Sequence, residues 1–450
     1  MRRVTARWPR RLFLSIGGVL ILGLSFASVS SQRAAAVMAD GKPVSNTTHI
    51  NTRLTGVMAA EVAVQKLGAK SFAGVYGGFA VVDNQQRVAV YLTRDDPGIE
   101  KEFRAAVGAG RVVFRKTPNS VKNLNVIQAV LEKNWNKFDA SGLNLIQFGP
   151  NTFTGREDIG VENLTARQAA TLRRLFGASA IHVYNVTAKE VKAGQLTASR
   201  TEDTAPYNGG DAIVNGSLSN ACSSGFGVTI GGSPRLLTAA HCFPNNGWIF
   251  NLYCDGNPNL PPLYNQCYNA QGGKFVEGSN NPMGQVDEIG ITGSPNSTGG
   301  HNWTGIDSEV FTGCNKSGVC GGDDLIWAGS PGNSGVRETV SGVGSWGPGT
   351  LVCSSGAYGG EICGFLVLKT NQCDTFGEGS DNFHFCHLTE VGENNDGDTF
   401  VHGDSGGPVY AYSGGTVKAM GTVTAVTGAD SWFTGIDGIL SNWHATLITG

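Results

Sequence analysis

Along residues 40 to 207 the apolar positions follow two alternating rhythms. Phe72–Tyr76 and Arg87–Leu92 read as strands, and Gly98–Val107 has the spacing of a helix. Val112-Val113-Phe114 predicts a strand, and Ser120–Phe138 a longer helix with Ser120 as its N-cap. Leu143–Phe148 predicts a strand, Thr165–Phe176 a helix and Ile181–Val186 a strand. Such alternation predicts an α+β module with helices over a sheet. His182, on one of these strands, reads as structural.

The texture changes near residue 200. Thr201-Glu202-Asp203-Thr204-Ala205-Pro206-Tyr207-Asn208-Gly209-Gly210 is a polar, turn-rich junction. Beyond it come short β-branched runs divided by Gly, Asn, Ser and Pro. Phe226–Ile230, Leu236–Ala239, Phe365–Lys369, Val409–Tyr412 and Val417–Val426 are examples. About 240 residues of this pattern predict one all-β unit of two barrels. Only Gly438–Ile448 has a helical pattern there.

The first residues carry a different signal. Arg2, Arg3, Arg7, Arg10 and Arg11 precede an apolar run, Leu12–Ala27, and small residues follow through Ala36. A basic start, a short apolar run and a small-residue exit predict a secretory signal over 1–36. The run is shorter than the ~20 residues that span a bilayer. Arg10-Arg11-Leu12-Phe13-Leu14 also resembles a twin-arginine signal; the general secretory route ranks higher, because disulfides form more naturally after unfolded export. The expected location is extracellular, with no membrane attachment once the signal is removed.

Cysteine and charge divide the chain at nearly the same place. All ten cysteines lie from Cys222 to Cys386, which in an exported chain predicts a disulfide framework. No Cys-x-x-Cys pair occurs, which argues against a zinc site. Residues 40–207 hold 21 Lys/Arg and 15 Asp/Glu, whereas 208–450 hold 6 and 21. Opposite fields favour association of the two parts. The acidic half would be repelled by phosphate, so no nucleic acid is expected as a partner.

Two motifs carry chemistry. Leu237-Thr238-Ala239-Ala240-His241-Cys242 delivers a histidine at a strand end beside a cysteine. Gly403-Asp404-Ser405-Gly406-Gly407-Pro408 lets the backbone bend sharply and expose a hydroxyl. Serine needs an adjacent base to become a nucleophile, and imidazole can take and return a proton near neutrality. The amides of Gly403 and Ser405 would face a developing oxyanion. A Gly-rich serine loop alone is usually a turn, and a lone histidine is usually structural. Together in one cysteine-bearing β region they predict nucleophilic catalysis.

At these residues the sequence resembles the chymotrypsin-like serine peptidases, and within them the secreted bacterial streptogrisin-like branch. The resemblance covers about residues 208 to 450. Gly209-Gly210-Asp211-Ala212-Ile213 and Cys222-Ser223-Ser224-Gly225-Phe226 look like that branch's mature start. Cys353-Ser354-Ser355-Gly356-Ala357 to Cys363-Gly364 looks like its mid-domain loop. The resemblance implies two six-stranded antiparallel barrels with the site in the cleft between them, and peptide-bond cleavage through an acyl-enzyme without a cofactor. It implies protein or peptide substrates and a monomer. It also implies disulfides Cys222–Cys242 and Cys353–Cys363; the remaining cysteines pair most simply as Cys254–Cys267, Cys314–Cys320 and Cys373–Cys386.

The carboxylate that orients His241 is open between two residues. Asp307, in Gly305-Ile306-Asp307-Ser308-Glu309-Val310-Phe311, is preferred because it resembles the family's Asp followed by a strand. Asp287 has the more usual distance from His241, but the insert bearing Cys254 and Cys267 would lengthen that distance. By resemblance Thr399 lines the floor of the primary specificity pocket, and Thr424, Ala425 and Val426 its wall. An uncharged floor narrowed by Val426 predicts cleavage after small or medium apolar residues.

Three departures from the family pattern stand out. Val401 and His402 occupy the positions where many relatives carry a cysteine. Ser354 stands where the bacterial branch often has an arginine that neutralises the buried aspartate, so the partner of Asp404 is open. Ile213-Val214-Asn215-Gly216 imitates the new amino terminus of animal relatives, and coincidence is the preferred reading. Residues 40–207 resemble the pro-regions of streptogrisin-like enzymes, with removal expected near Tyr207–Asn208; a retained binding module is the alternative. A catalytically silent peptidase-like binding protein, or an esterase using the same triad, is the rival for the whole chain.

Overall fold

One chain pattern is used twice in the amino-terminal region. Its first copy runs α1 (Thr47–Ser71), β1 (Tyr76–Val82), β2 (Arg87–Leu92), α2 (Pro97–Val107) and β3 (Val112–Lys116). Its second runs α3 (Val121–Ala140), β4 (Leu145–Asn151), β5 (Arg156–Val161), α4 (Ala166–Phe176) and β6 (Ile181–Asn185). In each copy the first strand pairs antiparallel with the second, and the second pairs parallel with the third. The computed structural model describes residues 47–187, 189–190, 200, 203, 205–215, 221–243, 247–253, 276–296, 299–314, 320–329, 336–394, 396–428 and 430–450. The stretch read as a signal, and Cys254 and Cys267, lie outside the described residues.

Local chemistry sets the helix starts. Asp96 accepts the Ile99 amide at α2, Ser120 accepts the Asn123 amide at α3, and Thr165 with Gln168 forms a capping box at α4. Each copy closes over its own core, one around Phe103 and Val90, the other around Leu131, Phe148 and Leu172.

The described residues correct the sequence pattern at several points. Phe72–Tyr76 is not a strand: the Val75 and Tyr76 amides both bond the Phe72 carbonyl at 2.8 Å, so the chain turns, and β1 begins only at Tyr76. Helix α1 and strand β5 escape the pattern altogether. Strand β5 opens with Arg156-Glu157-Asp158, a charged run that hides a strand, yet Glu157 and Asp158 are buried. The region also has two sheets rather than one. Strands β1, β2 and β3 form a separate sheet, whereas β4 continues into the carboxy-terminal half.

From residue 207 the chain is mostly β. A first group comprises β8 (Tyr207–Gly209), β9 (Ala212–Asn215), β10 (Ala221–Ser223), β11 (Gly227–Ile230), β12 (Ser233–Thr238), β13 (Trp248–Tyr253), β14 (Val276–Pro295) and β15 (His301–Phe311); β7 (Lys189–Glu190) precedes it. A second comprises β16 (Gly322–Ala328), β17 (Val336–Val343), β18 (Leu351–Gly356), β19 (Gly360–Glu378), β20 (Asp381–Gly392), β21 (Pro408–Ser413), β22 (Thr416–Thr427) and β23 (Asp430–Gly435). Strands β12, β14 and β15 pair in the first group, and β18, β19, β20, β21, β22 and β23 in the second. Ile213 and Val214 sit buried inside β9 rather than at a chain end.

Helix α5 (Ile436–Trp443) is shorter than the helical pattern over Gly438–Ile448. His444 takes left-handed φ of 49°, which ends the helix, and β24 (Thr446–Leu447) then pairs with β11. Ile436, Ile439 and Trp443 bury the apolar face of α5 against Val310 and Val340. Disulfides join Cys222–Cys242, Cys314–Cys320, Cys353–Cys363 and Cys373–Cys386.

The two regions are joined through strands and buried polar groups. Phe148 and Gln147 of β4 pair with Cys373 and Asp374 of β19. Gln128 of α3 exchanges hydrogen bonds with Asn371, at 2.9 and 2.7 Å. Glu61 of α1 accepts the Thr350 hydroxyl at 3.0 Å. Strand β7 runs parallel to β19 at Phe376 and Gly377.

Candidate active site

Strand register brings His241 to its carboxylate. β12 is buried at Leu236, Leu237 and Thr238, and these pair with Phe311, Val310 and Glu309 of β15. Continued along both strands, that register sets Asp307 beside the residues that follow β12. Asp307 is fully buried there. Its carboxylate accepts the His241 main-chain amide at 3.0 Å and lies 2.9 Å from His241 Nδ1. This contact places the imidazole proton on Nδ1 and leaves Nε2 as the basic nitrogen. Asp287 is elsewhere: it is exposed and pairs with Arg235.

Burial works to lower the His241 pKa. The Asp307 charge, the hydrogen bond to it and the Glu378 charge together outweigh burial, so the imidazole titrates above its ordinary value. Glu309, two residues further along β15, is buried with no partner for either carboxylate oxygen among the described residues. Burial first, and repulsion from Asp307 second, push its pKa well up. A neutral Glu309 avoids a second buried charge beside Asp307.

The loop bearing Ser405 is fixed by its neighbours. Gly406 has φ of 84°, and a Cβ there would meet Thr238 Oγ1 at 2.2 Å, so only glycine fits. The Ser405 carbonyl accepts the Ser223 amide at 2.8 Å, and the Gly403 carbonyl accepts the Ser223 hydroxyl at 2.9 Å. The Gly406 amide donates to the Val423 carbonyl at 2.7 Å, which ties the loop to β22. Among the described residues the Gly403 and Ser405 amides donate no hydrogen bond. Cys242 Sγ lies 3.9 Å from His241 Nε2 and 4.0 Å from the Ser405 carbonyl oxygen, so the Cys222–Cys242 disulfide touches both. Those sulfurs are oxidised and offer no thiolate to a metal. Among the described residues no hydrogen bond joins Ser405 Oγ to His241; such bonds are often long before substrate arrives.

Aromatic residues that no sequence motif marks flank His241. Phe383 and Phe385 of β20 stand 6.1 and 6.2 Å from its ring centre. Ala425 packs in the same cluster as Ala240 and Trp432. Thr424 is buried with its hydroxyl 2.7 Å from that of Thr434, and Val426 packs with Phe400. Thr399 is half-buried, and its hydroxyl donates to the Phe400 carbonyl at 3.2 Å. His402 is also half-buried; burial lowers its pKa more than the charge of Glu378 raises it. His182 is exposed and contacts Asp158 at 3.2 Å, away from these groups.

Asp404 is fully buried. Its Oδ1 accepts the Tyr358 and Gly359 amides, each at 2.9 Å, and its Oδ2 has no partner among the described residues. Burial pushes its pKa up to about 7, although those amides and the charge of Arg200 pull it down.

No protein-family model matches the chain, and no curated protein matches it. Its carboxy-terminal half matches solved bacterial chymotrypsin-like serine proteases. Thermobifida fusca protease A is 21% identical, with TM-score 0.36, over 54% of this chain and 99% of that one. Nocardiopsis protease is 20% identical, with TM-score 0.36, over 54% and 98%. Cellulomonas bogoriensis chymotrypsin is 21% identical, with TM-score 0.34, over 54% and 98%.

Proposed function

We propose that the chain is a secreted serine endopeptidase that hydrolyses peptide bonds through an acyl-enzyme. Ser405 Oγ attacks the carbonyl carbon, and His241 Nε2 takes its proton. Asp307 holds the imidazole in that tautomer and stabilises its charged form. The amides of Gly403 and Ser405 receive the oxyanion; one such donor is worth about 3 to 4 kcal/mol. His241 then returns the proton to the leaving amine, and water releases the acyl group by the same route. No cofactor is required.

One observation carries this reading: His241 Nδ1 lies 2.9 Å from the buried Asp307 carboxylate, while its Nε2 faces the sulfur that touches the Ser405 main chain. The pairings within each strand group support two barrels of six strands with the site between them, the groups being linked where β15 pairs with β20 and β8 with β16. The placement of Thr424 and Val426 on the strand tied to the Gly406 amide supports a substrate pocket walled by Thr424, Ala425 and Val426 above Thr399. That pocket takes small or medium apolar residues, and the substrates are proteins or peptides. Residues 1–36 are the export signal, 40–207 a pro-region that docks on the enzyme it accompanies, and 208–450 the peptidase. The working enzyme is an extracellular monomer.

The test is turnover of an apolar peptide library by the secreted protein. Cleavage after small or medium apolar residues, lost in Ser405→Ala, is the expected result. Cleavage mainly after Lys or Arg would contradict the pocket assignment. A second reading is a catalytically silent binding protein; peptide binding with no hydrolysis at any pH supports it.

A further inference from the structure

Arg200 precedes the expected junction, yet it lies inside the carboxy-terminal half. It is 2% exposed. Its Nη1 donates to Ser355 Oγ at 2.8 Å, and its Nη2 to the Gly329 carbonyl at 3.0 Å. Its own carbonyl accepts the Ala212 amide at 2.8 Å, so the backbone is tied to β9 as well. Ser355 Oγ passes the contact on to the Trp327 carbonyl at 2.7 Å. Nη1 also fills the space where Gly210, at φ of 93°, lacks a Cβ.

A buried guanidinium needs buried negative charge. Ser355, which accepts from Nη1, adjoins Gly356, where a Cβ would meet the Asp404 carboxyl carbon at 2.1 Å, so the guanidinium lies close to Asp404; the charges of Asp211 and Glu361 also act on it. Asp404 and Asp211 are both 1% exposed or less, and each has at least one oxygen without a partner among the described residues. The described cations of the carboxy-terminal half are engaged elsewhere. Arg235 pairs with Asp287, Lys369 with Glu390, Lys418 with the Ser341 carbonyl, and Arg337 stacks on Trp327. Asp404 is the residue before Ser405, and its Oδ1 anchors the Tyr358 and Gly359 amides. Removing Arg200 would therefore withdraw the cation that acts on the buried carboxyl of Asp404, the residue before Ser405.

We propose that Arg200 is part of the working enzyme, as the positioning residue whose buried charge holds the Asp404–Ser405 loop, and that the cut freeing the peptidase falls upstream of Arg200 rather than at Tyr207–Asn208. The proposal rests on the peptidase reading for its functional consequence. Its structural content, coupling between Arg200 and Asp404, stands apart from activity.

Two experiments on the full chain separate these. In the first, secreted protein is labelled at serine with a fluorophosphonate, and the labelled species is sequenced from its amino end. The expected species contains Arg200. Arg200→Gln should lower kcat at least ~10-fold with KM little changed, below the ~100-fold typical of losing an oxyanion donor, and Arg200→Lys should recover part of that. A labelled, fully active species that begins after residue 200, or Arg200→Gln with wild-type kcat, overturns the proposal. In the second, Arg200→Gln is compared in Ser405→Ala protein with and without Asp404→Asn. A thermal midpoint that falls sharply when Asp404 is intact, and much less in the Asp404→Asn background, is expected. Equal falls in both backgrounds overturn the proposal. Absence of labelling in wild type, with the coupling intact, would instead count against the peptidase reading alone.

Discussion

The two regions of this molecule reach order by different means. The amino-terminal region has no cysteine and starts its helices with side-chain caps at Asp96, Ser120 and Thr165, each copy closing over its own apolar core. The carboxy-terminal half has long paired strands, four described disulfides and a buried polar layer around Asp307, Asp211 and Asp404. The first region spends some of its buried polar groups on contact with the second, as at Glu61 and Gln128. In the second, Asp307 lies against His241 and Asp404 directly precedes Ser405. The two regions thus differ in where some of their buried ionisable groups lie.

The sharpest way to break this contrast is inside the charged layer. Asp307→Asn should lower kcat by about 10⁴, because the imidazole loses its tautomer and its counter-charge. Asp287→Asn, which removes only a surface partner of Arg235, should change kcat less than about twofold and stability by at most ~1 kcal/mol. Steady-state kinetics on the two variants checks both. Equal losses would remove the distinction between them.

A smaller effect concerns pH. In the proposed mechanism His241 must be neutral to accept the serine proton, and its pKa is raised. Activity should therefore rise with pH along an acid limb that lies above the ordinary histidine value. Glu378→Gln removes one of the charges that raise it, so the limb should move to lower pH. A pH profile of kcat/KM for both proteins reads the shift; an unmoved limb would detach Glu378 from the site.

The smallest effect tests docking. Burial pushes the Glu61 pKa up to about 8, against a hydrogen bond from Thr350 that pulls it down. A carboxyl raised in the folded state is stable there as the neutral acid, so its contribution weakens as pH climbs from about 4.5 and is lost through about 8. In Ser405→Ala full chain, Glu61→Gln should therefore flatten the fall in thermal midpoint between about pH 6 and about 9. Parallel curves for variant and parent would show that Glu61 does not sense the interface.

Much of this was legible in the chain. Periodicity marked α2, α3 and α4, and a cap at Ser120 marked the start of α3, because those signals are local. The glycines around Ser405 and the strand leading to His241 were legible for the same reason. Strand β5 was not, since Glu157 and Asp158 read as surface residues until partner strands bury them. Glu309 and Arg200 escaped because their meaning lies in long-range register: Thr238 opposite Glu309, and Arg200 opposite Ala212. The choice between Asp307 and Asp287 was open in sequence because chain distance from His241 does not report strand pairing.

The most direct measurement is the rate at which a fluorophosphonate modifies secreted protein, with the modified residue mapped by mass spectrometry. The account predicts rapid single-site modification at Ser405, none in Ser405→Ala, and a rate in His241→Ala slower by several orders of magnitude. Equal rates in wild type and His241→Ala, or modification at another serine, would contradict it.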